Sequence, residues 1–225
     1  MPPAIFYDPT QLILRSWWAP DQPGAFDDQR NVARFAVRGS AEVAATRPEF
    51  LALVAHWDFR SATTRLDEAK RIDRYGHDPL PVIGGGDLNA TASGPFPAQP
   101  DWSAVEPRLR AHKGVRHPDG TWTVDTEAVD HLIGRWMSCG SGPDGNRFGG
   151  IGFHAVAELA LRAGQPPEQA FAPTVNPGGS SLLIDWLLVN DAMRPHVIPG
   201  SYRVHVPDRA PYPSDHRLVT AVIAL

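Results

Sequence analysis

Asp87 and Asn89 have residue types and a spacing that are suited to catalysis. They follow a short apolar segment, residues 81–86, that ends in three glycines. Side chains alternate along a strand, so the two polar side chains point the same way, and the glycines let other groups come close. A carboxylate beside an amide at a strand end predicts the start of an active site. The alternative is a strand that enters an Asx turn, because Asp and Asn favour turns through local hydrogen bonds.

His56 and Asp185 extend this candidate set. His56 follows the continuous apolar run 50–55, which is typical of a strand buried on both faces. Asp185 interrupts a second apolar run, residues 181–189. An unpaired charge among apolar neighbours is costly to bury, so we expect Asp185 to have a partner.

Asp215 and His216 complete the set, just before the apolar C-terminal run 218–225. Acid, amide and imidazole groups together suit the hydrolysis of a phosphate ester. The sequence has no Gly-x-Ser-x-Gly elbow and no P-loop that would indicate different chemistry. Its single cysteine, Cys139, excludes an internal disulfide and a cysteine zinc site.

Several other histidines show no spacing typical of metal ligands, and we expect surface or structural roles for them. They are His112, His117, His131 and His154.

The candidate residues depend on strands and helices for their positions. Residues 50–55, a helix from Arg65 to about Tyr75 and residues 81–86 predict a strand, helix, strand unit. If its two strands are neighbours in one sheet, His56 and Asp87 share an edge, where clefts in open sheets form. The remaining predictions are a hairpin of strands 4–7 and 11–18, strands 31–37, 181–189, 202–206 and 218–225, and helices 126–136 and 152–162.

The composition fits one globular domain over residues 1–225, with 42% hydrophobic and 20% charged residues. A net charge of -4 argues against a broad basic face for non-specific binding of nucleic acid. No apolar run approaches the length of a membrane span and no signal peptide is visible, so we expect a cytoplasmic protein.

At these residues the sequence resembles the endonuclease/exonuclease/phosphatase, or DNase I-like, superfamily. The matching motifs are Gly86-Asp87-Leu88-Asn89, Ser214-Asp215-His216-Arg217-Leu218, His56 after an apolar strand, and Ile184-Asp185-Trp186. Each motif is short, but the four occur in the family's order. The resemblance implies an α/β fold, a two-sheet β-sandwich flanked by helices, with the site at one edge.

The resemblance also implies roles for the matching residues. Asp87 would orient or deprotonate the attacking water, and Asn89 would hold Asp87 and the phosphate in register. His216, paired with Asp185, would donate a hydrogen bond to a phosphate oxygen, and the carboxylate would keep the imidazole protonated. His56 would contact the scissile phosphate or the leaving group.

Asp215 would be an oxygen ligand for Mg²⁺ or Mn²⁺ in this family pattern. The family also has an N-terminal half-sheet that supplies an asparagine and a glutamate, the principal metal ligand. Neither has an evident counterpart in this sequence. We therefore expect an N-terminally incomplete domain, about the C-terminal two-thirds of the family fold, with weak metal affinity and an exposed sheet edge.

The sequence thus predicts a metal-dependent phosphoesterase that hydrolyses a phosphodiester or phosphomonoester with activated water. The substrate stays open between nucleic acid, a small phosphodiester, a lipid headgroup and an inositol phosphate. The first alternative is a non-catalytic remnant of the fold that acts as a binding or scaffold domain. A second alternative is a purely structural sandwich in which the polar residues are caps and turns.

Overall fold

A computed structural model describes residues 3–16, 32–39, 47–139, 144–175, 181–206 and 214–225. The strands are β1 (Leu12–Ser16), β2 (Val32–Val37), β3 (Glu49–His56), β4 (Val82–Asp87), β5 (Gly114–Arg116), β6 (Trp122–Val124), β7 (Arg135–Ser138), β8 (Gly145–Phe148), β9 (Phe153–Ala155), β10 (Asp185–Asn190), β11 (Arg203–Val204) and β12 (Val219–Thr220). The α-helices are α1 (Ala62–Arg71), α2 (Asp73–Gly76), α3 (Pro107–Lys113), α4 (Glu127–Ile133), α5 (Val156–Arg162) and α6 (Pro167–Ala170), with a 3₁₀ turn at Arg194–His196.

A six-stranded mixed sheet organises these elements, in the order β1-β2-β3-β4-β10-β9. β3 and β4 are parallel, and the other neighbours are antiparallel. Helices α1 and α2 form the crossover between β3 and β4, as parallel strands require. β3 and β4 therefore end, and β10 begins, at the same edge of the sheet.

Helices cover the sheet: α1 packs against α4, and α5 packs against β10. The main core contains Phe35, Val82, Leu132, Val156 and Trp186, all buried. The predicted α/β class, with a large sheet flanked by helices, is confirmed. The sequence also predicted a second sheet. In that part of the chain, the described residues contain the antiparallel pair β11–β12, and β12 packs against β10.

The predicted strand 4–7 is wrong, since residues 3–8 form no regular secondary structure. β1 pairs with β2 instead, with Leu12 opposite Val37. The carboxylate of Asp8 accepts hydrogen bonds from the backbone N–H and hydroxyl of Thr10, so the turn forms without a hairpin. Of the predicted strands 11–18 and 31–37, the structure describes β1 and β2. Residues 17–31 lie outside the described ranges.

Two helix predictions are too long because tertiary pairing overrides the helical spacing. The predicted helix 126–136 ends at Ile133, where Gly134 has a φ of 90° and the chain turns into β7. The predicted helix 152–162 begins only at Val156, because Phe153–Ala155 pair with β10 as an edge strand.

The remaining boundaries also shift. The helix predicted from Arg65 begins earlier, at Ala62, and Ser61 caps it by accepting a hydrogen bond from the N–H of Thr64. The strand predicted over 181–189 begins at Asp185. The strands predicted over 202–206 and 218–225 are reduced to two residues each, with an isolated bridge between Val197 and Ile223.

Within the described ranges, every helix is too short or too polar to cross a membrane.

The glycine run lets β4 fit tightly between its neighbours. A methyl group on Gly85 would lie 2.0 Å from the carbonyl oxygen of Trp186 on β10. One on Gly86 would lie 2.0 Å from the carbonyl oxygen of Ala55 on β3. Both backbones thus occupy the space that a side chain would need.

We expect Gly85→Ala to lower the free energy of unfolding by about 1–3 kcal/mol, because the methyl group forces β4 and β10 apart. Gly39→Ala is the matched control: a methyl group there meets nothing within 4 Å, and we expect a change within about 0.5 kcal/mol. Urea denaturation of both variants measures the difference. Equal midpoints would contradict this account of the glycine run.

Candidate active site

Three predicted site residues form a row across the sheet. In the register of the strands, His56 of β3 and Asp185 of β10 both lie opposite Asp87 of β4. Register partners project from the same face of a sheet. His56 Nε2 lies 3.6 Å from Asp87 Oδ2. The sheet thus brings together an imidazole and two carboxylates that are far apart in sequence.

His216 joins the row from outside the main sheet. Its Nδ1 lies 3.0 and 2.9 Å from the two carboxylate oxygens of Asp185. Its Nε2 lies 3.8 Å from Asp87 Oδ2. The predicted pairing of Asp185 with His216 is therefore present, and the imidazole stands between two carboxylates.

Thr174 holds both members of this pair in place. Its hydroxyl accepts hydrogen bonds from the N–H groups of Ile184 and Asp185 at 3.0 Å. Its carbonyl oxygen accepts a hydrogen bond from the N–H of Arg217 at 2.7 Å. The start of β10 and the segment that carries His216 are thus fastened to one buried residue.

The charges of the row shift two pKa values. The hydrogen bond to Asp185 raises the pKa of His216 to about 8, so the imidazole is largely protonated at neutral pH. Burial, and then the nearby charge of Asp185, raises the pKa of Asp87. A carboxylate with a raised pKa is a better proton acceptor.

Asn89 binds Asp87 through two hydrogen bonds. Its backbone N–H donates to Asp87 Oδ1 at 2.9 Å, and its Nδ2 donates to Asp87 Oδ2 at 3.0 Å. Nδ2 also donates to the carbonyl oxygen of Trp57 at 3.0 Å. The first of these bonds forms the Asx turn predicted from the sequence as the alternative to an active site, and Asn89 has a left-handed φ of 51°. The turn and the grouping of polar residues therefore coexist.

Two imidazole nitrogens face the Asp87 carboxylate without direct hydrogen bonds to it. Oδ2 of this carboxylate faces the Nε2 atoms of His56 and His216 at 3.6 and 3.8 Å. These distances are too long for direct hydrogen bonds, and water can bridge polar groups at such separations. The His56 side chain is 48% exposed, so the site is open on that side. The arrangement can accept a proton from water and donate hydrogen bonds to an anion.

Within the described ranges, there is no group of three or more His, Cys, Asp or Glu side chains that could hold a metal ion. Asp215 is exposed beside His216 and offers a single carboxylate. Its role as a ligand of Mg²⁺ or Mn²⁺ stays a prediction.

Lys113 is a site residue that the sequence did not reveal. It is the last residue of α3, and its ammonium group donates hydrogen bonds to Oδ1 and to the backbone oxygen of Asn89, the latter at 3.1 Å. Burial, and then the charge of Arg65, lowers its pKa to about 8. A lone lysine before a glycine follows no motif, so only the folded chain shows its place.

Asp58, two residues after His56, has a local structural role. Its carboxylate accepts hydrogen bonds from the N–H groups of Arg60 and Ser61 and caps the turn before α1.

Three of the other histidines have partners of their own, as expected for structural roles. The pairs are His117 with Thr123, His131 with Asp73 and His154 with Asp191.

Neither a protein-family model nor a curated protein matches the sequence. The chain is similar to the endonuclease domain of TRAS1, a telomere-specific non-LTR retrotransposon, with 16% identity over 98% of this chain and 72% of that one, and a TM-score of 0.45. It is also similar to the 3′-5′ exonuclease NExo of Neisseria meningitidis, with 18% identity over 95% of this chain and 71% of that one, and a TM-score of 0.43. A third similar structure is an endonuclease/exonuclease/phosphatase family protein of Bacteroides thetaiotaomicron, with 15% identity over 97% of this chain and 68% of that one, and a TM-score of 0.39.

These similar structures belong to the family predicted from the motifs. Their TM-scores lie below 0.5, and the similarity assigns no role to any single residue. The geometry of the row must therefore support the function by itself.

We expect His216 to titrate with a pKa of about 8, and Asp185→Asn to move it towards the ordinary value of 6.5. NMR titration of the histidine ring signals measures both. The stability contributed by this pair is present in full below pH 6.5 and is lost as the pH rises through about 8. The ring signals of His131, which pairs with Asp73 away from the row, are the control and should have the same chemical shifts in both proteins at a fixed pH. Unchanged titration of His216 in the variant would rule out Asp185 as the cause.

Proposed function

We propose that this chain is a phosphoesterase that hydrolyses a phosphodiester or phosphomonoester with an activated water molecule. One observation carries the proposal: two imidazole Nε2 atoms converge on Oδ2 of Asp87, and Asp185 keeps one of those imidazoles charged. A base and a charged donor that face the same small space suit attack of water on a phosphate.

In this proposal Asp87 accepts a proton from water while the water oxygen forms a bond to phosphorus. The imidazolium of His216 donates a hydrogen bond to a phosphate oxygen, where negative charge grows as the reaction proceeds. His56, on the open side of the row, contacts the phosphate or the departing oxygen. The bond from phosphorus to the leaving oxygen breaks, and that oxygen departs with the electron pair and takes a proton from solvent water. Asn89 keeps Asp87 in register throughout.

Mg²⁺ or Mn²⁺ is the cofactor that the motif pattern implies, with Asp215 as its predicted ligand. Mg²⁺ usually keeps several waters and binds through one or two carboxylates plus substrate phosphates. With Asp215 alone, most of its ligands would come from the substrate and water. The proton transfer and the hydrogen bonds proposed above use only side chains of this chain.

The alternative function is a binding or scaffold domain that keeps the fold without catalysis. The observation that favours it is the absence of a metal-ligand cluster within the described ranges. The substrate of the proposed enzyme is a phosphate ester, and a nucleic acid or a small phosphodiester both fit this class.

Hydrolysis of bis(p-nitrophenyl) phosphate and of p-nitrophenyl phosphate, measured with Mg²⁺, Mn²⁺ or EDTA, tests the proposal. We expect Asp87→Asn and His216→Gln to lower kcat by about 10²- to 10⁴-fold, because the first removes the proton acceptor and the second removes the charged hydrogen-bond donor. His131→Gln, a histidine that pairs with Asp73 outside the row, should leave the rate unchanged. A folded chain that hydrolyses neither substrate under any of these conditions would favour the scaffold function.

A further inference from the structure

We propose that Lys113 is a positioning residue that acts on Asp87 through Asn89. The inference rests on the proposed function, since it assigns Lys113 a part in preparing the carboxylate that handles water. Lys113 itself faces Asn89 and is not placed among the groups that touch substrate.

The side-chain amide of Asn89 connects Lys113 to Asp87. Every polar atom of its side-chain amide has a partner in the fold. Oδ1 accepts from the Lys113 ammonium, and Nδ2 donates to the carbonyl oxygen of Trp57 and to Asp87 Oδ2. An ammonium group has only donors, so it can face the oxygen of the amide and cannot face the nitrogen. Lys113 therefore acts together with the Trp57 carbonyl to keep the nitrogen of the amide turned towards Asp87.

The orientation of the Asn89 amide affects how the Asp87 carboxylate is held. With Nδ2 towards Asp87, Asn89 supplies two donors to the carboxylate, one to each oxygen. A flipped amide would place its oxygen against Oδ2 of Asp87, and two acceptors repel each other. Without Lys113 the amide loses the partner of its oxygen and keeps only the partners of its nitrogen. The amide is then held less firmly, and so is the plane of the Asp87 carboxylate.

The fold holds Lys113 in this place by a separate set of contacts. The N–H of Asp125 donates to the carbonyl oxygen of Lys113 at 2.9 Å. Arg65, fully buried, donates to the carbonyl oxygen of His112 at 3.1 Å and pairs with the carboxylate of Asp125 at 2.7 Å. This buried ion pair fixes the end of α3, so the backbone that carries the Lys113 ammonium towards Asn89 is held in place.

The partners of Lys113 indicate a role beyond stability. Within the described ranges its ammonium contacts amide and carbonyl oxygens and makes no ion pair. Burial, and then the nearby charge of Arg65, works against the charged form and lowers the pKa of Lys113 to about 8. The sequence contains 21 lysines and arginines, and only Lys70 and Lys113 are lysines. A compact ammonium fits the single oxygen of Asn89 better than a forked guanidinium does.

The kinetic test removes the ammonium and then returns it from solution. We expect Lys113→Ala to lower kcat by about 10- to 100-fold with KM nearly unchanged, because the base is misplaced and substrate contacts remain. Ethylammonium should restore much of the lost kcat, and tetramethylammonium, which has the charge but no N–H donor, should not. Lys70→Ala, at an exposed lysine on α1, is the matched control and should retain the wild-type kcat.

A second measurement needs no activity. NMR signals of the Asn89 side-chain NH₂ group should show slow exchange with solvent in the wild type, and Lys113→Met, which keeps the chain length, should shift and broaden them. Unchanged signals in a folded Lys113→Met variant would overturn the inference, as would a Lys113→Ala variant with full kcat. If the wild type hydrolyses no phosphate ester, the proposed function fails, and the Asn89 signals still decide whether Lys113 positions the amide.

Discussion

The close approach of three backbones at the glycine run of β4 is the constraint on which the site depends. Gly85 and Gly86 leave no room for side chains, because carbonyl oxygens of β10 and β3 occupy that space. The same approach sets the register that places His56 and Asp185 on either side of Asp87. Larger residues at the glycine positions would push the strands apart. They would thereby also move His56 and Asp185 away from Asp87.

Much of this arrangement was predictable because it is encoded locally. The apolar runs before His56 and Asp87 predict adjacent strands, and a polar residue directly after a buried strand must lie at a sheet edge. Asp185 could be assigned a partner because a lone charge in an apolar run is costly to bury. The two alternatives for Asp87 and Asn89, turn or site, did not exclude each other, since one backbone hydrogen bond serves both.

The rest depends on contacts that no local pattern encodes. Phe153 has the spacing of a helical residue, yet it pairs with Asn190 at the edge of the sheet. Trp136 continues a helical stripe in the sequence, but the glycine before β7 ends the helix. Lys113 contacts Asn89 from the end of α3, which Arg65 and its ion pair with Asp125 hold in place. In each case a tertiary contact outweighs the local preference.

Because of the two hydrogen bonds from Asn89, the Asp87 side chain loses its conformational entropy during folding and not when substrate binds. A free carboxylate side chain rotates among several conformers, and fixing it costs free energy. Here the folding reaction fixes it, since Asn89 is buried and binds both carboxylate oxygens. A substrate would meet a carboxylate already held in one plane, so its binding energy would not be spent on ordering that group.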